Sequence, residues 1–195
     1  MKFNAEEELS LFEYRRFALM ALWTGMIATV GIVFAFIPNI ELVLLSAFLG
    51  GIALGPKRGF LVAALGEALF SALNPIGSGL GFPILYIFQI VSVGLCGLAG
   101  GLSLKFIHSS WKPIQTSVYM GVIALFLTLF FDLSTALSFP ISSGMTEGAL
   151  LGVLAAGSFF FILHMASNII LFALFGPSLI RLIDRQLLMN GLGQT

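Results

Sequence analysis

The chain has 195 residues and no net charge, and 58% of its residues are hydrophobic whereas only 9% are charged. Soluble domains carry about 25% charged residues, so this chain has too few to cover a water-facing surface. Disorder and nucleic-acid binding are excluded too, because both require a polar or basic chain, and the single cysteine, Cys96, excludes a disulfide framework. The composition predicts an all-α integral membrane protein.

Charged residues and Pro/Gly clusters divide the apolar sequence into six stretches, which predict a six-transmembrane-helix bundle in a single membrane domain over 1–195. A helix needs about 20 residues to cross a hydrocarbon core of ~30 Å. In chain order the predicted spans are 16–37, 41–55, 59–73, 83–104, 115–138 and 149–177, with a cytoplasmic lead-in at 1–15 and a cytoplasmic tail at 178–195.

The second and third spans are short, at about 15 residues or ~22 Å each. A single re-entrant hairpin over 41–73 is the alternative interpretation. Lys57 and Arg58 would then lie at its tip, deep in the membrane, where each charge costs several kcal/mol. Two short spans are therefore the preferred prediction, and they must tilt little, thin the bilayer or be shielded by neighbouring helices.

The basic residues give the orientation of the six spans. All nine Lys and Arg fall on one side of the predicted bundle, and the loops of the other side contain none. Cytoplasmic loops are enriched in these residues, so both termini are predicted to be cytoplasmic. The nine residues are Lys2, Arg15, Arg16, Lys57, Arg58, Lys105, Lys112, Arg181 and Arg185.

Few polar side chains lie inside the predicted spans, and such residues are either functional or hydrogen-bonded between helices. Glu67, Gln89, Asp132 and His164 belong to four different spans, and each lies roughly 10 Å below the outer surface. For any one of them, hydrogen bonding between helices is the favoured explanation. Because the set shares one level beneath polar outer loops, it favours a small-molecule pocket.

Neighbours at helical spacing and residues of the outer loops complete the candidate binding set. Its members are Asn39, Glu41, Glu67, Asn74, Tyr86, Gln89, Asp132, Thr135, His164 and Asn168. The acids of this set, with Glu147 as a further candidate, face no Lys or Arg within the spans. A neutral or cationic ligand is therefore expected, and no metal or cofactor is predicted.

Small residues at four-residue spacing predict close contacts between helices. Gly51 with Gly55 and Gly97 with Gly101 are expected to pack inside the bundle. The first span differs, because its small residues form a smooth stripe without ionisable groups, which suits contact with another membrane protein. This stripe consists of Ala18, Ala21, Gly25 and Ala28.

The order of these features resembles the substrate-binding S component of energy-coupling factor (ECF) transporters, which take up vitamins and other micronutrients. The likeness covers about residues 16–180 and includes the chain length, the six spans and the cytoplasmic termini. Its sequence signatures are Pro38-Asn39-Ile40-Glu41, segment 50–60 (GGIALGPKRGF), segment 131–138 (FDLSTALS), and segment 164–168 (HMASN) followed by 172–177.

The resemblance implies capture of a small water-soluble vitamin or related micronutrient under the outer loops, in the plasma membrane of a prokaryote. It also implies that a transmembrane coupling protein and two cytoplasmic ATPases are partners, so ATP hydrolysis is expected there and no enzyme activity in this chain. In the family an A-x-x-x-A pattern on the first helix contacts the coupling protein, and Ala21 and Gly25 match it here. The expected ligands are thiamine-like, pyridine-like or neutral cobamide compounds.

Two other functions stay open at this stage. The arrangement of His164, Asn168 and Glu67 resembles the site of intramembrane metal-dependent proteases of the CAAX type. That family needs a Glu-Glu pair and a second intramembrane His, whereas Ala68 follows Glu67 and His108 is predicted in a cytoplasmic loop. A solitary cation- or proton-coupled carrier that uses Asp132 and Glu67 is the other alternative.

Overall fold

The computed structural model describes residues 5–40, 42–107, 111–145 and 147–189, and the regular elements within these ranges are all helical. The all-α prediction is confirmed. The helices are α1 (Ala5–Phe34), α2 (Val43–Leu54), α3 (Pro56–Leu73), α4 (Pro83–Ser103), α5 (Pro113–Ser143) and α6 (Glu147–Met189), with a single 3-10 turn at Gly79–Gly81.

Proline and glycine define several helix ends. Helices α3, α4 and α5 each begin with a proline, whose fixed φ suits the first turn and whose missing N–H loses no hydrogen bond there. Gly55, with φ of 82°, separates α2 from α3 without a loop. Gly144, with φ of 60°, ends α5 and donates its N–H to the carbonyl of Pro140. Both glycines adopt a backbone conformation that side chains disfavour.

Three helices extend beyond the predicted spans. Helix α1 begins at Ala5, so it includes most of the predicted lead-in, while α5 continues through Pro140 and α6 through Pro177. The outer loop predicted at 139–148 is therefore mostly helical. A proline within a membrane helix is tolerated where neighbouring helices satisfy the backbone groups that it frees.

Four segments are long and apolar enough to cross a membrane, namely 12–34, 83–103, 113–143 and 151–187. Helix α2 has only 12 residues, or about 18 Å, and α3 has 18 residues that include Lys57, Arg58 and Glu67. The four long apolar helices indicate a membrane protein.

The basic residues share one end of the bundle. Leu19 and Trp23 of α1, and Ile183 and Leu187 of α6, pack there against the buried cluster that contains Leu54 of α2. We call this the basic end, because the segments that meet there include Arg15, Arg16, Lys57, Arg58, Arg181 and Arg185. The opposite end contains the connections at 35–42, 74–82 and 144–146.

Helix α2 occupies the centre of the bundle, since all of its residues are buried. It contacts α1, α3, α4 and α6. The ring of Phe48 in α2 meets that of Phe172 in α6 edge to face, with 5.6 Å between centroids. A short helix made of apolar and small residues can lie here because protein surrounds it on every side.

Glycines allow α2, α3 and α4 to touch through their backbones. A Cβ on Gly51 would clash with the carbonyl oxygen of Gly97, and a Cβ on Gly59 would lie 2.5 Å from the Cα of Gly51. A Cβ on Gly101 would meet the backbone of Pro56. The small residues of α2 and α4 thus form internal contacts, as their spacing predicts.

Gly97→Ala should lower the free energy of unfolding by about 1–3 kcal/mol, because the added methyl group overpacks the contact with Gly59 and Ala63. Unfolding in detergent, followed by circular dichroism, measures the change. Gly152→Ala is the matched control, since its Cβ meets no described atom within 4 Å. Equal losses in the two variants would contradict a tight contact at Gly97.

Candidate functional site

A cavity of about 260 Å³ opens at the opposite end of the bundle. Its walls come from α1, the connection after α1, and α3 to α6, so five helices contribute. The residues that line it are Gly31, Phe34, Ala35, Ile37, Pro38, Asn39, Phe70, Asn74, Gln89, Phe131 and His164. The walls thus combine aromatic rings with a few hydrogen-bonding groups, which is the usual composition of a small-molecule site.

The aromatic wall depends on a close approach between α1 and α3. A Cβ on Gly31 would lie 2.5 Å from the ring of Phe70, so only glycine leaves room for this ring. On the other side Phe131 meets the imidazole of His164 edge to face, with 6.0 Å between ring centroids. Phe34 adds a third ring. A flat aromatic ligand can pack against such rings.

His164 joins the cavity to a buried acid. Its Nδ1 lies 2.7 Å from Oδ1 of Asp132, and both side chains are buried. A carboxylate can only accept, so the imidazole donates through Nδ1, and this bond sets the orientation of the ring. Asp132 is on α5 and His164 is on α6, so the pair also ties these two helices together.

A second polar pair joins α3 to α4. Ser71 donates its hydroxyl to Oε1 of Gln89 at 2.8 Å. Because Gln89 is held by its oxygen, the N–H groups of its carboxamide are placed to donate to a ligand in the cavity. One turn away, Tyr86 donates its hydroxyl to the carbonyl of Ala68 at 3.0 Å, which strengthens the same helix contact.

Two asparagines lie at the rim. Asn39 is half-buried in the connection after α1 and has a left-handed backbone with φ of 59°, which asparagine tolerates better than most residues. Asn74 follows α3, and its Oδ1 accepts the backbone N–H of Ile76 at 3.0 Å. Their side chains add polar groups where a ligand would enter.

The structure divides the predicted binding residues into two groups. Asn39, Asn74, Gln89 and His164 line the cavity. Asp132 lies behind His164, while Glu67 and Asn168 are buried at 2% and 0% exposure and do not line it. Glu41 lies outside the described residues, and the side chain of Glu147 is not described.

Two predicted residues use their hydroxyl groups within the protein instead. Thr135 donates to the carbonyl of Phe131 or Asp132, at 2.9 and 3.1 Å, in its own helix. Tyr86 bonds to the backbone of α3, as described above. Neither residue lines the cavity, and carbonyl oxygens accept both hydroxyls.

Sequence reasoning missed the contribution of α1. Gly31 and Phe34 line the cavity, as does the segment 35–38 that follows. Because this span lacks ionisable groups, the sequence predicted for it only a contact with a partner. Gly31 could have indicated this role, since it lies shortly before Phe34 and the Pro38-Asn39 turn. A small residue in a helix allows a bulky side chain of another helix to approach.

A larger cavity of about 420 Å³ lies at the basic end. Its lining is mainly aliphatic, and its two charged residues, Arg181 and Asp184, are exposed. These two residues therefore do not form a buried pair like that of Asp132 and His164. In the described part of the chain, no group of three or more His, Cys, Asp or Glu is arranged to hold a metal ion.

Comparisons with models of protein families, with curated proteins and with solved structures found no match to this chain. The functional interpretation therefore depends on the residues and geometry of the cavity.

The bond between Asp132 and His164 should appear as an energetic coupling in a double-mutant cycle. We expect Asp132→Ala and His164→Ala to be non-additive by about 1–3 kcal/mol in unfolding free energy, because each substitution removes the same buried contact. The control cycle combines Asp132→Ala with Ser103→Ala, which lies near the basic end. That cycle should be additive within about 0.5 kcal/mol. Additivity in both cycles would argue against the bond.

Proposed function

We propose that this chain captures a small water-soluble vitamin or related micronutrient for ATP-driven uptake together with partner subunits, as the S component of an ECF transporter does. The observation that carries this proposal is the cavity at the end opposite the basic residues, with aromatic walls, amide groups and a histidine held by a buried acid. Binding pockets for small molecules combine these features.

We propose six membrane crossings with both termini in the cytoplasm of a prokaryotic cell. The enrichment of Lys and Arg at the basic end supports this orientation, since such residues favour the cytoplasmic side. The cavity would then open to the outside. The short α2 is compatible with a membrane because other helices surround it and separate it from lipid.

The lining of the cavity supports a ligand with one or two rings. Its volume of about 260 Å³ is at the lower limit of drug-sized pockets, which span roughly 300–1,000 Å³. This size favours a thiamine-like or pyridine-like compound over a cobamide. No Lys or Arg is among the described lining residues, and Asp132 lies directly behind His164. A neutral or cationic ligand therefore suits the site better than an anion.

The partner surface in this proposal is the exposed face of α1. Ala18, Ala21 and Gly25 are exposed, and a Cβ on Gly25 would meet no described atom within 4 Å. Ala28 is buried at 7% exposure, so it does not belong to the smooth stripe predicted from the sequence. Small side chains let another helix approach closely, which is what docking with a coupling protein would require.

Cysteine labelling tests the membrane topology. In intact cells we expect Gly77→Cys, in the connection before α4, to react with a membrane-impermeant maleimide. Lys57→Cys, beside the α2–α3 turn, should react only after the membrane is permeabilised. Both positions are exposed. The wild type is the control, since its one cysteine, Cys96, is buried and should stay unlabelled. Labelling of both variants in intact cells would contradict the six crossings.

Ligand binding tests the cavity. Native mass spectrometry of the purified protein identifies the retained ligand, and equilibrium binding then compares variants. We expect Asp132→Ala and His164→Ala to weaken binding about 10- to 100-fold, since each loses a buried polar interaction. Unchanged affinity in both folded variants would contradict the site.

Uptake assays test the partner surface separately. Gly25→Leu should leave equilibrium binding unchanged but reduce uptake in cells that also produce the coupling protein and ATPases, because the larger side chain blocks helix docking. Gly25→Ala keeps the face smooth and should retain uptake. Equal uptake by both variants would argue against this surface.

A further inference from the structure

A second polar layer lies one helical turn below Asp132 and His164, away from the cavity. Helices α5 and α6 run in opposite directions. Their contacts keep the same pairing along their length, so a step back along α5 corresponds to an equal step forward along α6. Asp132 meets His164, and further along Gly176 lies directly against Met120. Between these two contacts the same register makes Thr128 face Asn168, because each is four residues from one member of the Asp132–His164 pair.

The side chains of Thr128 and Asn168 are completely buried. Asn168 donates its Nδ2 to the carbonyl of His164 at 3.2 Å, so its Oδ1 must be satisfied by another group. Among the described residues, neither Oδ1 of Asn168 nor Oγ1 of Thr128 has a hydrogen-bond partner. Buried polar atoms are almost always satisfied, so two unsatisfied oxygens on facing positions indicate a shared ligand between them.

The surroundings define the charge of that ligand. Helix α5 contains no Lys or Arg, and in α6 the first is Arg181, at the basic end. Asp132 is one helical turn from Thr128, and its contact His164 is one turn from Asn168, so the register gives the site an acidic neighbour. Oxygen ligands prefer hard cations. A divalent ion usually takes several carboxylates or keeps many waters, whereas a site with one carboxylate and two neutral oxygens suits a single positive charge.

We propose that Thr128 Oγ1 and Asn168 Oδ1, next to the Asp132 carboxylate, bind a monovalent alkali-metal cation between α5 and α6. The cation offsets the buried negative charge and satisfies both oxygens. It therefore stabilises the contact between the two helices that position His164. This proposal concerns folding stability and does not depend on the identity of the transported compound or on any partner.

Thermal unfolding of the purified full-length chain in detergent tests the site. Samples in sodium, potassium or choline chloride are compared at one ionic strength. A cation that binds only the folded state raises the midpoint saturably, and we expect a rise of about 3 °C in sodium or potassium over choline. Equal midpoints in the three salts would overturn the proposal and would indicate that water alone bridges the oxygens.

Variants of Thr128 and Asn168 test whether the salt dependence of the unfolding midpoint arises at this site. Thr128→Val keeps the shape but removes the oxygen, so it should fold and lose the salt dependence. Thr135→Val is the matched control, because that hydroxyl bonds to its own helix, and it should keep the full response. Asn168→Leu is a second test of the same site. A response that persists in both Thr128→Val and Asn168→Leu would overturn the site even if the wild type responds.

Binding of radioactive sodium to the wild type gives a readout that needs no variant. One saturable site per chain, displaced by unlabelled sodium but not by choline, is the expected result. Absence of saturable binding of both sodium and a potassium analogue such as rubidium would overturn the proposal. Failure of vitamin capture in separate assays would leave this result unchanged, so the two proposals can fail independently.

Discussion

The contact between Asp132 and His164 is the interaction on which the opposite end of the bundle depends. A carboxylate and an imidazole are each costly in an apolar interior unless they find a partner. Their bond of 2.7 Å meets this need across α5 and α6, and it holds the imidazole at the cavity wall. One pair therefore determines helix position, ring orientation and the polar character of the cavity. The apolar rings around it then exclude water and strengthen the interaction.

Backbone contact between glycines brings helices together in the basic half of the bundle. Gly51, Gly59 and Gly97 bring three helices together where no side chain fits. This close approach buries α2 completely and brings α3 and α4 side by side, so Ser71 can reach Gln89 nearer the cavity. The glycine contacts and the aromatic rings that line the cavity thus lie at different levels of the bundle.

The sequence predicted the helical class, the approximate helix positions and four of the residues that line the cavity. These follow from apolar run lengths and from the cost of polar groups in apolar helices. The orientation of individual hydroxyls was not predictable, since Thr135 and Tyr86 bond to carbonyls that helical spacing alone cannot rank as partners. Gly31 was missed because its role depends on Phe70, which is distant in sequence. Two spans were predicted to end near Pro140 and Pro177. The helices continue through both prolines, because neighbouring helices tolerate them.

The constant register of α5 and α6 has a consequence for how this protein can vary. A substitution at one level directly alters one contact and leaves the register at the other levels unchanged. An inserted or deleted residue between Met120 and Asp132 would instead rotate everything beyond it by about 100°. Asp132 would then no longer face His164 while Met120 stayed on Gly176. A change of length within these helices therefore disturbs several contacts at once, whereas a change of side chain disturbs one.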